Sequence, residues 1–419
     1  MRNNNSFIKL IPWAYLLLAT LSVRRYLFYN PLEFNGTILA LENIVVFFVT
    51  SVYPVYAFKL HKTIGRNKEY RIFRHFMMYT FLLCIYSLVA NFPFGNGYEK
   101  MALFNSWMVV MSGLSVFYLS EPCNFTRATK ILYKVLPLLA IVYLPWAVEM
   151  FIGDMVGFLL MPIVLPLLFW KELSFNKKII YGTLAIYVVV TSYLSDARSH
   201  ILKYGLALFI GLLIIQFESI ILRYKNLIWC IFAVPFILFG LGLSGKFNIF
   251  ESTEELDNSN LQENTLVDTR TILYTEALTS AVRNDYILYG RGIGRGYNSD
   301  WLRSVQDGTA KSNKGFFYGE RNAETAIVNI FTWGGVLYVF IYSVMMCSVI
   351  FYGLYRSSNR YVRTVAIYFS FYFVYCWVEN FQELSISYFC SWFLVAICLS
   401  AKFRNMNNSD FYSFIRKTF

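Results

Sequence analysis

The chain has 419 residues, of which 57% are hydrophobic and only 15% charged, and its mean hydropathy is +0.48. That much apolar surface excludes a monomeric water-soluble enzyme. The formal charge of +12 would suit a nucleic-acid partner in a soluble protein, but in an apolar chain it reads as basic residues gathered in cytoplasmic loops, so no nucleic-acid partner is expected.

Apolar runs long enough to cross roughly 30 Å of hydrocarbon recur along the whole length. They predict about twelve spans, near 8–23, 37–58, 75–91, 101–119, 131–151, 153–170, 178–194, 199–216, 226–244, 325–354, 361–379 and 383–401. The first run lacks a small-residue cleavage site and reads as a span rather than a removable signal. The fold class expected is therefore an all-α polytopic membrane protein. Its N-terminal helices (about nine) fill 1–244, a long loop fills 245–323, the last helices fill 324–401, and a cytoplasmic tail fills 402–419.

Lysine and arginine set the expected orientation. With the N-terminus cytoplasmic, most of the 37 basic residues fall in inner connections, including Lys59 to Arg74, Arg127 to Lys134, Lys171 to Lys178, Arg223 and Lys225, Arg356 to Arg363 and Lys402 to Lys417. The short outer connections hold few, among them Arg24, Arg25, Lys100 and Arg198. Both termini are then cytoplasmic and the long loop is outside.

That loop is the one long polar segment, and its arginines are not explained by topology, since long translocated segments escape the charge rule. Residues 247–267 are acidic and read as a lightly packed cover. From Thr271 to Val282 the residues Leu273, Ala277, Leu278, Ala281 and Val282 share one face of a predicted amphipathic helix, with Asp268 or Thr269 as N-cap. The run Gly290-Arg291-Gly292-Ile293-Gly294-Arg295-Gly296 follows. It is no dinucleotide fingerprint, because Arg295 stands where a glycine is required. It reads either as an anion-binding nest flanked by Arg291 and Arg295 or as a turn with solvated arginines. Trp301, Phe316, Phe317 and Tyr318 suit sugar stacking or interfacial anchoring.

The loop closes on Glu320-Arg321-Asn322-Ala323-Glu324 at the mouth of the next span. Glu324, desolvated there, has the character of a general base, with Glu320 one turn before it in reserve; a helix-start acid favoured by the macrodipole is the plainer reading. On the same side, the turn Ser195-Asp196-Ala197-Arg198-Ser199 holds Arg198, which can bind an anion or pair with Asp196. The seven cysteines and three histidines are scattered, so no disulfide framework, metal site or cofactor is expected.

Taken together, a Ser-x-x-Arg-Ser hairpin between middle spans, an arginine opening a loop helix (Thr269-Arg270-Thr271), a Gly-x-Gly-x-Gly element and an acidic residue before a span with Gly334-Gly335 resemble the O-antigen polymerase and O-antigen ligase superfamily. The resemblance covers the layout of most of the chain and rests on order and spacing. It implies a metal-independent, GT-C-like membrane glycosyltransferase in the bacterial inner membrane, with the loop periplasmic and containing short amphipathic helices. The donor it implies is a glycan on undecaprenyl pyrophosphate; membrane lipids and a chain-length regulator are the further partners. Arg198, Arg270, Arg291 and Arg295 match the family's positions for the pyrophosphate, with Arg321 added, and Glu324 or Glu320 takes the base role. The ligases' late-loop histidine is replaced by Arg321-Asn322, which favours a polymerase; a ligase remains the close alternative, and a lipid-linked oligosaccharide flippase the more distant one.

Overall fold

The helices follow the apolar runs. The computed structural model describes residues 67–91, 97–143, 159–194, 198–243, 269–299, 320–323, 325–380 and 386–419. The chain is mostly helical over these residues. In order come α1 (Arg71–Asn91), α2 (Gly97–Met111), α3 (Ser115–Leu119), α4 (Pro122–Tyr143), α5 (Leu160–Leu167), α6 (Phe175–Leu194), α7 (Arg198–Gln216), α8 (Glu218–Arg223) and α9 (Ile228–Leu243). The loop contributes α10 (Thr269–Arg283), and α11 (Ala326–Tyr355), α12 (Arg360–Tyr375), α13 (Ile386–Leu399), α14 (Ala401–Arg404) and α15 (Asn408–Thr418) complete the chain. The exception is a short antiparallel ladder in which β1 (Tyr297–Asn298) sets Tyr297 opposite Arg321 and Asn298 opposite Glu320 of β2 (Glu320–Arg321).

Helix occupies part of each expected span from 75–91 onward. The expected spans 8–23 and 37–58 lie outside the described residues, as do the cover at 247–267 and the aromatic residues Trp301 and Phe316 to Tyr318. Among the described residues two helices, Lys68–Asn91 and Ala326–Tyr355, are long and apolar enough to cross a membrane; others, such as Ser106–Leu119 and Ile386–Leu399, are shorter. The described helices therefore do not establish a count of twelve crossings.

The core is built around α13, nearly all of whose side chains are buried, packed among α5, α11 and α12. Apolar side chains also cover the outside. On α1, Met78, Leu82, Ile85, Tyr86 and Val89 are exposed; on α9, Ile231, Val234, Phe236, Ile237 and Leu241 are exposed. A helix apolar on both its packed and its exposed faces has no water-facing side.

Polar interactions gather at two poles. At one, Arg404 donates to Glu69 at 3.1 Å and to the Arg356 carbonyl at 3.0 Å, Lys402 pairs with Glu121 at 2.6 Å, and Arg360 pairs with Glu172 at 2.7 Å. Asn359 caps α12 by accepting from the Val362 N–H at 2.9 Å, and its amide donates to the Phe403 and Met406 carbonyls. At the other pole Asn91 meets Arg295. Glu69 and Asn91 stand at opposite ends of the α1 segment, so at 1.5 Å per residue the poles are about 33 Å apart. Glu69, Glu121, Glu172, Glu218 and Lys225, each in or beside an expected inner connection, have their partners at this same Arg404 pole.

The C-terminal segment is not a loose tail. Phe411, Ile415 and Phe419 recur every four residues and are buried, so one face of α15 docks on the bundle. Thr418 meets Thr126 of α4 at 3.0 Å, and the Phe411 ring stacks on Tyr361 and contacts Phe169 and Phe403.

Candidate functional site

The site lies at the Asn91 pole and is organised by glycines. Gly290, Gly292 and Gly294 have φ of 69°, 101° and 86°, a region that glycine enters without steric cost. Alternate left-handed residues coil the loop tightly enough to lie against α1, α2 and α11. Space is the second reason for glycine: a Cβ on Gly290 would stand 2.3 Å from the Gly334 nitrogen, and one on Gly294 would stand 2.9 Å from the Leu103 side chain.

The loop docks where α11 is broken. Gly334 and Gly335 leave helical geometry, Gly335 with φ of 65°. Backbone groups released by the break are taken up by the loop. Arg291 and Gly292 donate to the Thr332 and Trp333 carbonyls at 2.8 and 2.9 Å, while Val336 and Leu337 donate to the Ile287 and Leu288 carbonyls at 2.8 and 3.3 Å. A break in an apolar helix is tolerated when neighbours satisfy its backbone in this way. These bonds turn the N–H groups of Arg291 and Gly292 to protein carbonyls, so those two donors do not serve an anion. The glycines are packed, not solvated.

A pair of guanidinium groups from the same run faces the Glu320 carboxylate. Arg295 grips Glu320 with both arms of its fork, Nε at 2.8 Å from Oε2 and Nη2 on Oε1. Arg291 Nη2 lies 3.0 Å from the same Oε1, and the Gly296 N–H donates to Oε2 at 3.2 Å. Glu320 is only 4% exposed. A carboxylate so buried requires partners of this kind, because an unpaired charge there would be strongly destabilising.

Each arginine has a second anchor. Arg291 Nη1 donates to the Gly296 carbonyl at 3.0 Å and to Asn298 Oδ1 at 2.7 Å, and its guanidinium lies 5.1 Å from the Tyr286 ring centre. Burial holds the Tyr286 phenol above its ordinary range, and its hydroxyl donates to Ser280 at 2.6 Å. Arg295 Nη1 donates to Asn91 Oδ1 at 2.6 Å. The Asn91 amide reaches Ser87 Oγ and the Arg291 carbonyl, and Ser87 donates to the Ile293 carbonyl at 2.5 Å. On the far side Asn329 of α11 pins the backbone after Glu320, accepting from the Ala323 N–H at 2.8 Å and donating to its carbonyl at 2.9 Å.

Of the residues expected at a site, Arg291, Arg295 and Glu320 are brought together. Glu324 lies outside the described residues, as do the side chains of Arg198, Arg270 and Arg321. Their backbones are placed. Arg198 begins α7, whose other end reaches the Arg404 pole through Glu218 and Thr364, so Arg198 starts from the Asn91 pole. Arg270 is in the first turn of α10, which is tied to the end of α12 by Tyr274 donating to the Trp377 carbonyl at 2.7 Å. Leu273, Ala277 and Ala281 of α10 are buried as expected, but Val282 is exposed. Arg321 pairs with Tyr297 in the ladder.

Asn91, Ser87, Asn298 and Asn329 were not singled out by the sequence reading. The available signal was Ser87 and Asn91, four residues apart on one face of an otherwise apolar span. Polar residues on such a face must find partners inside the bundle. No family model, curated protein or solved structure matches the chain.

Proposed function

We propose that the chain is a membrane-embedded polysaccharide polymerase, in the manner of the O-antigen polymerases, and that the Asn91 pole is its outer catalytic face. Two poles about 33 Å apart with exposed apolar helices between them suit a bilayer whose hydrocarbon is roughly 30 Å thick. The Arg404 pole gathers the basic residues, which suits the cytoplasmic side. About twelve spans, both termini cytoplasmic and residence in the bacterial inner membrane belong to this reading.

The observation that carries it is the convergence of Arg291 and Arg295 on one carboxylate at the opposite pole. Two guanidinium groups aimed at one point hold an oxyanion through charged, directional bonds. For a glycan on a polyprenyl pyrophosphate, the acceptor hydroxyl attacks the anomeric carbon, the bond from that carbon to the pyrophosphate oxygen breaks, and the hydroxyl proton passes to a base. The arginines stabilise charge growing on the departing pyrophosphate. In this reading Arg198, Arg270 and Arg321 are further pyrophosphate contacts. Both Glu320 oxygens are spent on guanidinium groups, so the base role falls to Glu324 and Glu320 becomes a positioning group. The step uses no metal or cofactor.

Purified protein in lipid nanodiscs, supplied with the lipid-linked repeat unit of its source organism, should lengthen the glycan and release polyprenyl pyrophosphate, and Arg291→Ala and Arg295→Ala should abolish both. Transfer only to lipid A–core would show a ligase; passage across the bilayer without bond formation would show a flippase.

A further inference from the structure

We propose that Glu320 is an exchangeable counter-ion: its carboxylate occupies the oxyanion position between Arg291 and Arg295 in the empty site and is displaced by a phosphate oxygen of the incoming ligand. This rests on the reading of the arginine pair as the pyrophosphate holder, and adds a closed and an open state to it.

The donor set around Glu320 is not particular to a carboxylate and would serve another oxyanion of similar size. Two arms of Arg295, one of Arg291 and the Gly296 N–H converge on the two oxygens of one group. Phosphate presents more oxygens and more charge to the same donors. Both arginines are also held without Glu320. Arg291 is fixed by Gly296, Asn298 and the Tyr286 ring, and Arg295 by Asn91. Withdrawal of the carboxylate therefore leaves two oriented cations with less negative charge between them, a preorganised site for an anion.

Among the described residues the backbone of the Glu320 segment is held by a ladder of two pairs, Tyr297 with Arg321 and Asn298 with Glu320, and so small a two-stranded ladder has little stability of its own. Asn329 grips the chain at Ala323, three residues on. Glu320 can thus swing away while the entry to α11 stays fixed. A pyrophosphate then exchanges one anion for another across the same donors, so the two guanidinium groups keep an anionic partner while the displaced carboxylate is taken up by water.

The inference has a sign that a purely structural Glu320 would reverse. Binding of inorganic pyrophosphate to the full-length protein in detergent, followed by calorimetry, should tighten about tenfold or more in Glu320→Gln, because a competing charged acceptor is removed. Asn91→Asp, which places a second carboxylate on Arg295, should weaken it. If Glu320→Gln does not fold, Glu320→Asp, with a shorter reach to the same donors, should still tighten binding. The same order should hold for undecaprenyl pyrophosphate in nanodiscs; tightening confined to the inorganic anion would assign the site to a free pyrophosphate and overturn the lipid ligand. Weaker binding in both Glu320 variants would make Glu320 a permanent support and overturn the exchange, leaving the arginine site intact. No binding by wild type or any variant would overturn the arginine site itself.

Discussion

Gly335→Ala tests the docking of the loop onto the broken helix. The added Cβ would lie 2.3 Å from both the carbon and the oxygen of the Leu288 carbonyl and 2.6 Å from the Ile287 oxygen. These are backbone atoms, so no side chain can rotate out of the way. A left-handed φ on a non-glycine residue costs about 1–2 kcal/mol and overpacking about 1–3 kcal/mol more. The hydrogen bonds from Val336 and Leu337 to these same carbonyls lengthen or break as the loop retreats. The total is about 3–6 kcal/mol. The matched control is Gly240→Ala in α9, where a Cβ meets nothing within 4 Å; it should be neutral or slightly stabilising, since alanine favours helix by up to about 1 kcal/mol. Thermal loss of the folded monomer, followed by size-exclusion chromatography in one detergent, compares the two. The reasoning fails if Gly335→Ala melts together with Gly240→Ala.

Arg295→Lys keeps the charge but replaces a planar fork by a single ammonium, which cannot hold Glu320 and Asn91 together; polymer formation per folded molecule should fall by about tenfold or more, and retention of full activity would show that charge alone suffices. Phe411→Ala removes a fully buried ring from the contact between α15 and the bundle and should destabilise by about 3–5 kcal/mol, read as a lower melting temperature with activity per folded molecule preserved. Cys123 is exposed at the Arg404 pole beside Glu121; a membrane-impermeant maleimide should label it in inside-out vesicles and leave it unlabelled in intact cells, and the reverse would invert the orientation.

Much of the fold was legible because apolar runs and basic connections obey simple rules. The helices at 71–91, 326–355 and 360–375 begin and end near where hydropathy and charge place them. The glycine run was legible as a place of unusual backbone angles, but what the glycines approach was not. Gly290 lies against Gly334, and that contact joins segments far apart in sequence, which no local pattern announces. Asn91 was hidden for the same reason: an amide ending an apolar run looks like a helix terminus until Arg295 is placed on it. Glu320 shows the opposite failure. Its spacing from Glu324 suggested a helical pair, whereas Glu320 is in a strand and faces two arginines. The amphipathic period of α15 was present in Phe411, Ile415 and Phe419, but its position after the last apolar run made it read as a tail.

The most direct test is deletion of the chain in its source organism, with lipopolysaccharide resolved on a gel and complemented in turn by wild type and by Arg291→Ala. The long-chain ladder should collapse to core capped with a single repeat unit, return with wild type and stay collapsed with Arg291→Ala. Bare core after deletion, or a ladder restored by Arg291→Ala, would contradict a polymerase that works through this arginine.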